Sequence, residues 1–256
     1  MLRFALACLA LSFASLATAA ETLRVMSYNI HHGEGIDGKL DLERIAKLII
    51  DAKADIVGLQ EVDVGTERVQ KRDIGGELAK LTGMNVVFEK NIPHQGGEYG
   101  NAVLTKFPIK RAKNTHLKSF NKGEQRGVQQ LVLDVRGREV LFMNTHLDAR
   151  KEPVEREHSA TELKAIVAAA GALPVILVGD FNAVPTAPSI EAMRAFLADA
   201  WPVVGQGPGN TIPVKDPKRR IDYLWFTPAT VKPVKMEVLR SEASDHLPIV
   251  AELELK

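Results

Sequence analysis

The chain has 256 residues, of which 45% are hydrophobic and 25% are charged, and its 33 basic residues nearly balance 32 acidic ones. This composition is typical of a soluble globular protein, and it excludes disordered, collagen-like and coiled-coil chains. The formal net charge of +1 gives no general attraction for polyanions, so binding to nucleic acid or phospholipid would depend on a local basic patch.

The N-terminal segment 1–20 has the features of an export signal. Arg3 supplies the basic start, residues 4–16 are apolar, and the small residues at 17–20 supply a cleavage site. Because the apolar segment is shorter than the roughly 20 residues that span a bilayer, the sequence predicts cleavage rather than a stable membrane span. We therefore expect a secreted or periplasmic protein whose domain covers 21–256. Cys8, the only cysteine, would leave with the signal, so no disulfide is expected.

After residue 22, short β-type segments alternate with amphipathic helical segments, which predicts a single α/β domain. Strands are predicted at 23–30, 55–60, 86–89, 102–105, 130–135, 140–145, 175–179, 223–226, 234–239 and 249–253. Helices are predicted at 42–52, 155–170 and 189–198. Asp41 can cap the first helix, whose apolar residues recur at helical spacing. The segment 202–217 holds four prolines and three glycines, which indicates a long surface loop.

Polar side chains follow four of the predicted strands at or just past the point where each strand ends. They are Asn29, Glu61, His146, Asp180 and Asn182. Each residue alone could be a turn residue. However, the ends of adjacent strands meet at one edge of a sheet, where α/β proteins commonly place their sites. The sequence therefore predicts that these five side chains converge.

The donor atoms of these residues suit a hard divalent cation. Carboxylate and amide oxygens without a cysteine favour Mg²⁺, with Mn²⁺ as an alternative. The adjacent His31 and His32, together with His146 and His246, leave a zinc cluster as another interpretation, although no helical His-x-x-x-His or Cys-x-x-Cys spacing accompanies them. The open positions of a magnesium site bind phosphate oxygens, so the pattern indicates hydrolysis of a phosphate ester.

Short motifs extend this pattern along the chain. In order, they are Ser-Tyr-Asn-Ile at 27–30, Leu-Gln-Glu-Val at 59–62, Tyr-Gly-Asn-Ala at 99–102, Asn-Thr-His-Leu at 144–147, Gly-Asp-Phe-Asn at 179–182, Ile-Asp-Tyr at 221–223 and Ser-Asp-His at 244–246. Together they resemble the endonuclease/exonuclease/phosphatase superfamily over residues 23–252. The resemblance implies a four-layer α/β/β/α sandwich of the DNase I-like kind, with a metal-dependent hydrolytic site at one edge of two packed sheets.

The resemblance also implies roles for individual residues. Glu61 matches the main Mg²⁺ ligand, Asn29 lies beside it, and Asp245 matches a carboxylate at or near the metal. Asp180 and Asn182 match the pair that orients the attacking water and holds a phosphoryl oxygen.

Two histidines complete the implied site. Asp222 would fix the tautomer of His246, and both His246 and His146 would contact the scissile phosphate. The resemblance leaves open whether His246 or Asp180 accepts the proton from water.

Three further residues are expected near the substrate phosphate. Arg126 lies where many members of the superfamily place a phosphate-directed arginine, and Tyr99 and Asn101 would line the pocket. A surface salt bridge at Arg126 and a simple turn at Tyr99 are the alternatives. His31 stands where some nucleases of the superfamily have an aspartate, which leaves the number of metals open.

Basic residues are concentrated in two segments. Seven basic residues and one acidic residue occupy 106–126, which indicates either a solvated surface or a track for a phosphate-bearing substrate. A second basic cluster precedes Asp222 and is expected to overhang the site and to grip phosphate. Its members are Lys215, Lys218, Arg219 and Arg220.

These features predict an exported, Mg²⁺-dependent phosphoesterase that acts on phosphodiesters as a monomer. Its substrate would be nucleic acid, or a phospholipid or sugar phosphodiester. The alternatives are a phosphomonoesterase and a non-catalytic phosphate-binding module with the same fold.

Overall fold

Two six-stranded mixed sheets form the centre of the molecule. The structure, a computed structural model, describes residues 22–120 and 123–256, so the predicted export signal and Cys8 lie outside the described residues. The strands are β1 (Leu23–Asn29), β2 (Ile56–Val64), β3 (Asn85–His94), β4 (Gly97–Thr105), β5 (Ile109–His116), β6 (Gly127–Val135), β7 (Arg138–His146), β8 (Val175–Asp180), β9 (Ala198–Asp199), β10 (Asp222–Phe226), β11 (Val231–Val238) and β12 (Ile249–Leu255). The helices are α1 (Leu42–Asp51), α2 (Ile74–Thr82), α3 (Val154–Ala169), α4 (Pro188–Arg194) and α5 (Trp201–Val204).

Both ends of the described domain lie in the same sheet. The first sheet has the strand order β11-β12-β1-β2-β4-β3, and the second has the order β5-β6-β7-β8-β10-β9. Strand β12 is an interior strand that pairs antiparallel with β1, with Leu23 opposite Leu253. Each sheet contains one parallel pair, β1 with β2 and β7 with β8. The carboxyl ends of these pairs lie at the same edge of the sandwich.

Alternation along the strands separates three hydrophobic layers. In β1, Leu23 and Val25 pack between the sheets, whereas Met26 and Tyr28 pack in the layer that contains the buried face of α1. A third layer joins the outer face of the second sheet to α3 and α4. The predicted α/β class and four-layer α/β/β/α sandwich are therefore confirmed.

Most predicted helices are present, with shifted ends. Asp41 caps α1 as expected, since its side chain accepts a hydrogen bond from the Arg44 amide at 3.2 Å. The helix predicted at 189–198 ends at Arg194 instead, because residues 198–199 pair with β10 as strand β9. No helix in the described part of the chain is long and apolar enough to cross a membrane.

The sequence does not predict helix α2 or strand β5. Two adjacent glycines at 75–76 lower the helix propensity of α2, but Asp73 caps it by accepting a hydrogen bond from the Gly76 amide at 2.9 Å. Strand β5 has four consecutive exposed residues at 110–113, three of them basic. It is the edge strand of the second sheet, where exposed cations oppose association with another edge.

The space between the sheets is apolar at one end and polar at the other. At the polar end, inward-facing positions hold buried polar residues, namely Ser27, Asn29, Gln60, Asn101, Gln129, Asn144, His146, Asp180 and Asp222. Gln60 Nε2 donates to Asn144 Oδ1 at 2.7 Å, and Asn144 Nδ2 donates to the Leu59 carbonyl at 2.9 Å. Hydrogen bonds thus join the sheets where apolar packing stops.

Gly58 allows a close approach of the two sheets beside this hydrogen-bonded pair. A Cβ atom at Gly58 would lie 2.4 Å from Val178 Cγ2 and 2.9 Å from Asn144 Oδ1. Both distances are shorter than van der Waals contact, so any side chain here would force the facing strands apart.

We predict that Gly58→Ala lowers the free energy of unfolding by about 1–3 kcal/mol, the usual cost of overpacking a core. Urea denaturation followed by circular dichroism measures this change. Gly75→Ala is the matched control, because a Cβ there would meet no atom closer than 3.6 Å and alanine favours a helix. Equal stability of Gly58→Ala and the wild type would contradict the close approach of the sheets.

Candidate active site

Glu61 lies in a β-bulge that carries its side chain to the edge of the sandwich. The register between β2 and β4 shifts between Leu59 and Val62, so two residues of β2 oppose one of β4. Glu61 has a φ of 59°, a left-handed conformation that is uncommon for a residue with a side chain. Its Oε1 accepts a hydrogen bond from Asn29 Nδ2 at 3.0 Å. The bulge therefore directs Glu61 to the end of β1.

Asn29 connects carboxylates from the two sheets. Its Nδ2 donates to Glu61 Oε1 at 3.0 Å and to Asp180 Oδ2 at 3.1 Å. Its Oδ1 accepts a hydrogen bond from the His31 amide at 3.1 Å. In this orientation Asn29 positions Glu61, and its own oxygen faces the backbone.

Asp180 and Asp222 flank the ring of His246. The two aspartates are register partners on β8 and β10. His246 Nδ1 donates to Asp222 Oδ2 at 3.0 Å, and His246 Nε2 lies 3.6 Å from Asp180 Oδ2. Thr211 Oγ1 donates to the same Asp222 oxygen at 2.5 Å. Two donors thus fix Asp222, and Asp222 fixes the imidazole.

His146 and Asn182 lie on the other side of Asp180. His146 Nε2 is 3.5 Å from Asp180 Oδ2. Asn182 Nδ2 donates to His146 Nε2 and to the Leu147 carbonyl, both at 3.1 Å, and the Asn182 amide donates to Asp180 Oδ1 at 2.9 Å. Because Nε2 accepts this hydrogen bond, a neutral His146 carries its proton on Nδ1.

Burial and nearby charges affect the two histidines in opposite directions. Burial lowers the pKa of His146 well below its usual value, and the charges of Arg126 and His246 lower it further. Burial also acts to lower the pKa of His246, but the carboxylates of Asp222 and Asp180 outweigh it, so this pKa is raised. Burial raises the pKa of Asp180, an effect that His246 partly offsets. The site therefore combines a neutral imidazole with a charged one.

The donor atoms at this edge fit a hard divalent cation. Ser244 Oγ donates to the Asn29 carbonyl at 2.7 Å, which holds the adjacent Asp245 near the end of β1. Asp245 is partly exposed, as is Glu61, whereas Asp180 is buried. These carboxylates supply oxygen ligands without a thiol, the chemistry that Mg²⁺ prefers.

The four histidines do not assemble into the single zinc cluster that was the alternative interpretation. In residues 22–120 and 123–256, His31 and His32 group with Glu34, whereas His246 belongs to a buried group that includes Asp180. The second group holds two carboxylates and one imidazole.

Tyr99 and Arg126 belong to a charged group that borders the site. Arg68 Cζ lies 5.4 Å from the centre of the Tyr99 ring, and Arg126 Nη1 lies 2.8 Å from Glu124 Oε1. Burial raises the pKa of the Tyr99 hydroxyl, and the charges of Glu61 and Glu124 raise it further. Tyr99 is the register partner of Asp63, two residues beyond Glu61 on β2.

Asn101 lies on β4 and is as buried as Asp222. It is only 2% exposed and lies opposite the bulge of β2 that contains Glu61. Its Nδ2 has no hydrogen-bond partner among the described residues. Asn101 therefore lies beneath the surface of the site.

The sequence does not identify Thr211 or Arg68 as site residues. Thr211 belongs to the predicted loop 202–217 and is fully buried, but no motif or strand end distinguishes it from the other polar residues of that loop. Arg68 follows β2 in a turn region. Only the three-dimensional structure brings them to Asp222 and Tyr99.

The expectation that the basic cluster at 215–220 grips phosphate is wrong for Arg220. The Arg220 guanidinium is buried and donates to both carboxylate oxygens of Asp199, at 3.0 and 2.7 Å. It also lies 4.6 Å from the centre of the Tyr223 ring. Arg220 therefore has a structural role, because its charge is already paired away from solvent.

The described residues of the basic segment 106–126 do not form a continuous track to the site. Lys106 and Lys110 form ion pairs at 3.0 and 3.1 Å with acidic residues. They lie near the start of β5, at the end of the sandwich remote from the site. Arg126 directly precedes β6 and is the residue of this segment whose charge acts on His146.

Comparison with known proteins agrees with this geometry. Residues 26–246 match the Endonuclease/Exonuclease/phosphatase family. The chain belongs to this family. Its members are usually phosphoesterase hydrolases and generally depend on a divalent metal. The buried aspartates and histidine described above agree with such a site.

Individual relatives match this chain at low sequence identity. The uncharacterized protein YbhP of Escherichia coli (strain K12) is 27% identical over 252 residues, which covers 91% of this chain and 97% of the relative. A 5′-tyrosyl-DNA phosphodiesterase of Caenorhabditis elegans is 28% identical over 131 residues, 50% of this chain and 32% of the relative. The structure of a mannosyl-6-phosphatase from Bacteroides thetaiotaomicron VPI-5482 matches with a TM-score of 0.78 and 22% identity, covering 90% of this chain and 99% of that one.

We predict that Thr211→Val slows hydrolysis of a simple aryl phosphodiester about tenfold, because losing a hydrogen bond to a charged group costs about 1.5 kcal/mol. Steady-state rates and thermal unfolding measure the two effects separately. Thr161→Val is the control, since its hydroxyl donates only to the Glu157 carbonyl on the exposed face of α3. Full turnover by Thr211→Val would show that Asp222 does not need this donor.

Proposed function

We propose that this protein is an exported, Mg²⁺-dependent phosphoesterase that hydrolyses phosphodiester bonds in small substrates. The convergence of Asn29, His146 and His246 on Asp180 Oδ2, at the edge where both sheets end, gives the proposal its main support. The apolar, small-residue segment at 1–20 supports export.

Asp180 Oδ2 is the atom best placed to accept a proton from the attacking water. The Asn182 amide holds the other oxygen of this carboxylate. The water oxygen forms a bond to phosphorus while the bond from phosphorus to the leaving oxygen breaks, and the water proton passes to Asp180. The leaving oxygen takes a proton from His246 Nε2. Because Nε2 lies 3.6 Å from Asp180 Oδ2, transfer of a proton from Asp180 to His246 restores the starting state.

The remaining groups hold the phosphoryl oxygens. His246, positioned by Asp222, places positive charge at the site while it retains its proton. The Asn182 side chain orients the neighbouring His146, because its Nδ2 donates to His146 Nε2 and to the Leu147 carbonyl. Glu61 and Asp245 would hold Mg²⁺. When bound, the cation would neutralise charge that develops on the phosphoryl group.

The distribution of paired charges favours a small phosphodiester over a long nucleic acid. A protein that binds a polymer backbone needs a series of available cations along its groove. Here Lys106, Lys110 and Arg220 are each paired with a carboxylate. A sugar or phospholipid diester needs fewer phosphate contacts, and the protonated imidazole of His246, held by Asp222, can supply one.

A phosphomonoesterase is the second candidate. Arg126 borders the site on one side and is 9% exposed. The terminal phosphate of a monoester could occupy the position beside Arg126 that the phosphate of a diester would take. Activity on monoesters and diesters of one alcohol separates the two candidates.

We predict that Asp180→Asn and His246→Gln each reduce turnover of bis(p-nitrophenyl) phosphate in Mg²⁺ by about 10²–10⁴-fold, the usual contribution of a general acid or base. Release of nitrophenolate measures the rate, and circular dichroism verifies the fold. Asp216→Asn is the control, because Asp216 is exposed and pairs only with Lys218 in the described part of the chain. EDTA should abolish turnover, and Mg²⁺ or Mn²⁺ should restore it.

Two results would contradict this mechanism. Full activity in EDTA would exclude dependence on a metal, and wild-type rates for Asp180→Asn would exclude its role as the base. Phosphate binding without turnover by the wild type would instead support a non-catalytic module.

We predict that small phosphodiesters are cleaved faster than plasmid DNA or RNA, and that the rate changes little between low and physiological salt. The order of cleavage rates is measured on a panel of substrates. The panel holds sugar diesters, sphingomyelin, phosphoinositides, sugar phosphates, DNA and RNA. The double substitution Lys113→Gln with Lys118→Gln should leave the order unchanged. Preferential DNA cleavage that falls steeply with salt would instead support a nucleic-acid track.

A further inference from the structure

A groove of about 660 Å³ lies on the outer face of the second sheet. One wall is the end of α3 and the segment that follows it, with Ile166 and Leu173, and the other wall is the edge strand β5. Strands β6 and β7 form the floor through Val132 and Leu141. The groove shares no lining residue with the candidate active site.

The wall contributed by α3 is apolar and without charge. Residues 165–174 include no acidic or basic side chain, although Ala168 and Ala169 are exposed. The buried face of α3 already packs against the sheet through Leu163. Ile166 and Leu173 pack partly against the same layer and also line the groove, while the exposed Ala168 and Ala169 add no charge to its rim.

The opposite wall is basic. Arg111 is the register partner of Val132, and Lys113 is the register partner of Gln130. Side chains of directly opposed residues project from the same face of a sheet. Because Val132 packs in the layer that contains α3, Arg111 and Lys113 also project on the groove side.

Arg111 and Lys113 form no close ion pair with an acidic residue in the described part of the chain. Arg111 reaches Glu139 only at 3.9 Å, and both side chains are exposed, at 71% and 49%. Such a pair contributes little. No ion pair of Lys113 is present in residues 22–120 and 123–256. An anion bound between Arg111 and Lys113 would therefore interact with two cations that no carboxylate holds closely.

We propose that this groove binds a single-chain amphiphile with an anionic head, of the fatty-acid class. The chain would lie along Val132, Leu141 and Ile166, and the carboxylate would lie between Arg111 and Lys113. The volume is within the range of about 300–1,000 Å³ that small-molecule sites occupy. This binding does not depend on the hydrolytic function proposed above.

Charge and shape exclude two other occupants. A second copy that paired through β5 would place the cations of 110–113 against those of the first copy, which is unfavourable. A bilayer surface is also a poor fit, because the apolar floor lies between the wall of α3 and the wall of β5.

Isothermal titration with laurate below its micelle concentration tests the proposal on the full chain. We expect saturable binding at one site. Dodecyl maltoside, with an uncharged head on a similar chain, should bind about tenfold more weakly or worse. The double variant Arg111→Gln with Lys113→Gln should also lose about tenfold, equal to about 1.4 kcal/mol. Ala169→Trp, which places a large ring over the groove from an exposed position, should abolish binding. Hydrolytic activity should be unchanged in both variants.

The double variant Lys218→Gln with Lys235→Gln is the control, since it removes the same charge from other surfaces and should bind laurate like the wild type. Unchanged laurate binding in either groove variant would overturn the proposal. Cosedimentation with phosphatidylglycerol vesicles, together with no binding of laurate, would also overturn it, because the ligand would then be a bilayer surface.

Discussion

The site depends on holding two sheets in register at the end where no apolar core lies between them. Hydrophobic packing fixes the spacing of layers but is weakly directional. The Gln60–Asn144 hydrogen bond and the Asn29 contacts with Glu61 and Asp180 are directional, and they link one sheet to the other. Because Glu61 comes from the first sheet and Asp180 from the second, a small slip between the sheets would separate these carboxylates. Buried polar residues therefore define the geometry that the chemistry needs.

Much of the fold could be predicted from the sequence because strand alternation and helical periodicity are local patterns. The inward positions of Asn29, His146 and Asp180 follow from the alternation of apolar residues before them, which is why their convergence was predictable. The left-handed backbone of Glu61 was not predictable, since it arises from a bulge between β2 and β4. Thr211 was missed because it reaches Asp222 from a loop without regular periodicity.

Charge was the least reliable guide to the site. A segment with many basic residues suggests a binding surface, but a charge is available to a ligand only if no acidic neighbour already binds it. Arg220 is adjacent in sequence to the motif that contains Asp222, and yet its guanidinium is buried against Asp199. Conversely, Arg111 and Lys113 lie on an edge strand that the sequence did not indicate, where their available charge faces an apolar groove. Whether a charged side chain forms an ion pair depends on contacts between segments that are distant in sequence, and composition cannot reveal these contacts.

The position of β12 has a consequence for synthesis of the protein. This last strand lies between β11 and β1, inside the first sheet, and pairs with the first strand of the described domain. His246 lies just before β12, so the site is complete only when the C-terminal strand of the described domain has been made. A partly synthesised domain would lack an interior strand and the His246 imidazole, and contacts of such large sequence separation form slowly. Under the proposed function, an incomplete domain would therefore have little opportunity to hydrolyse phosphate esters.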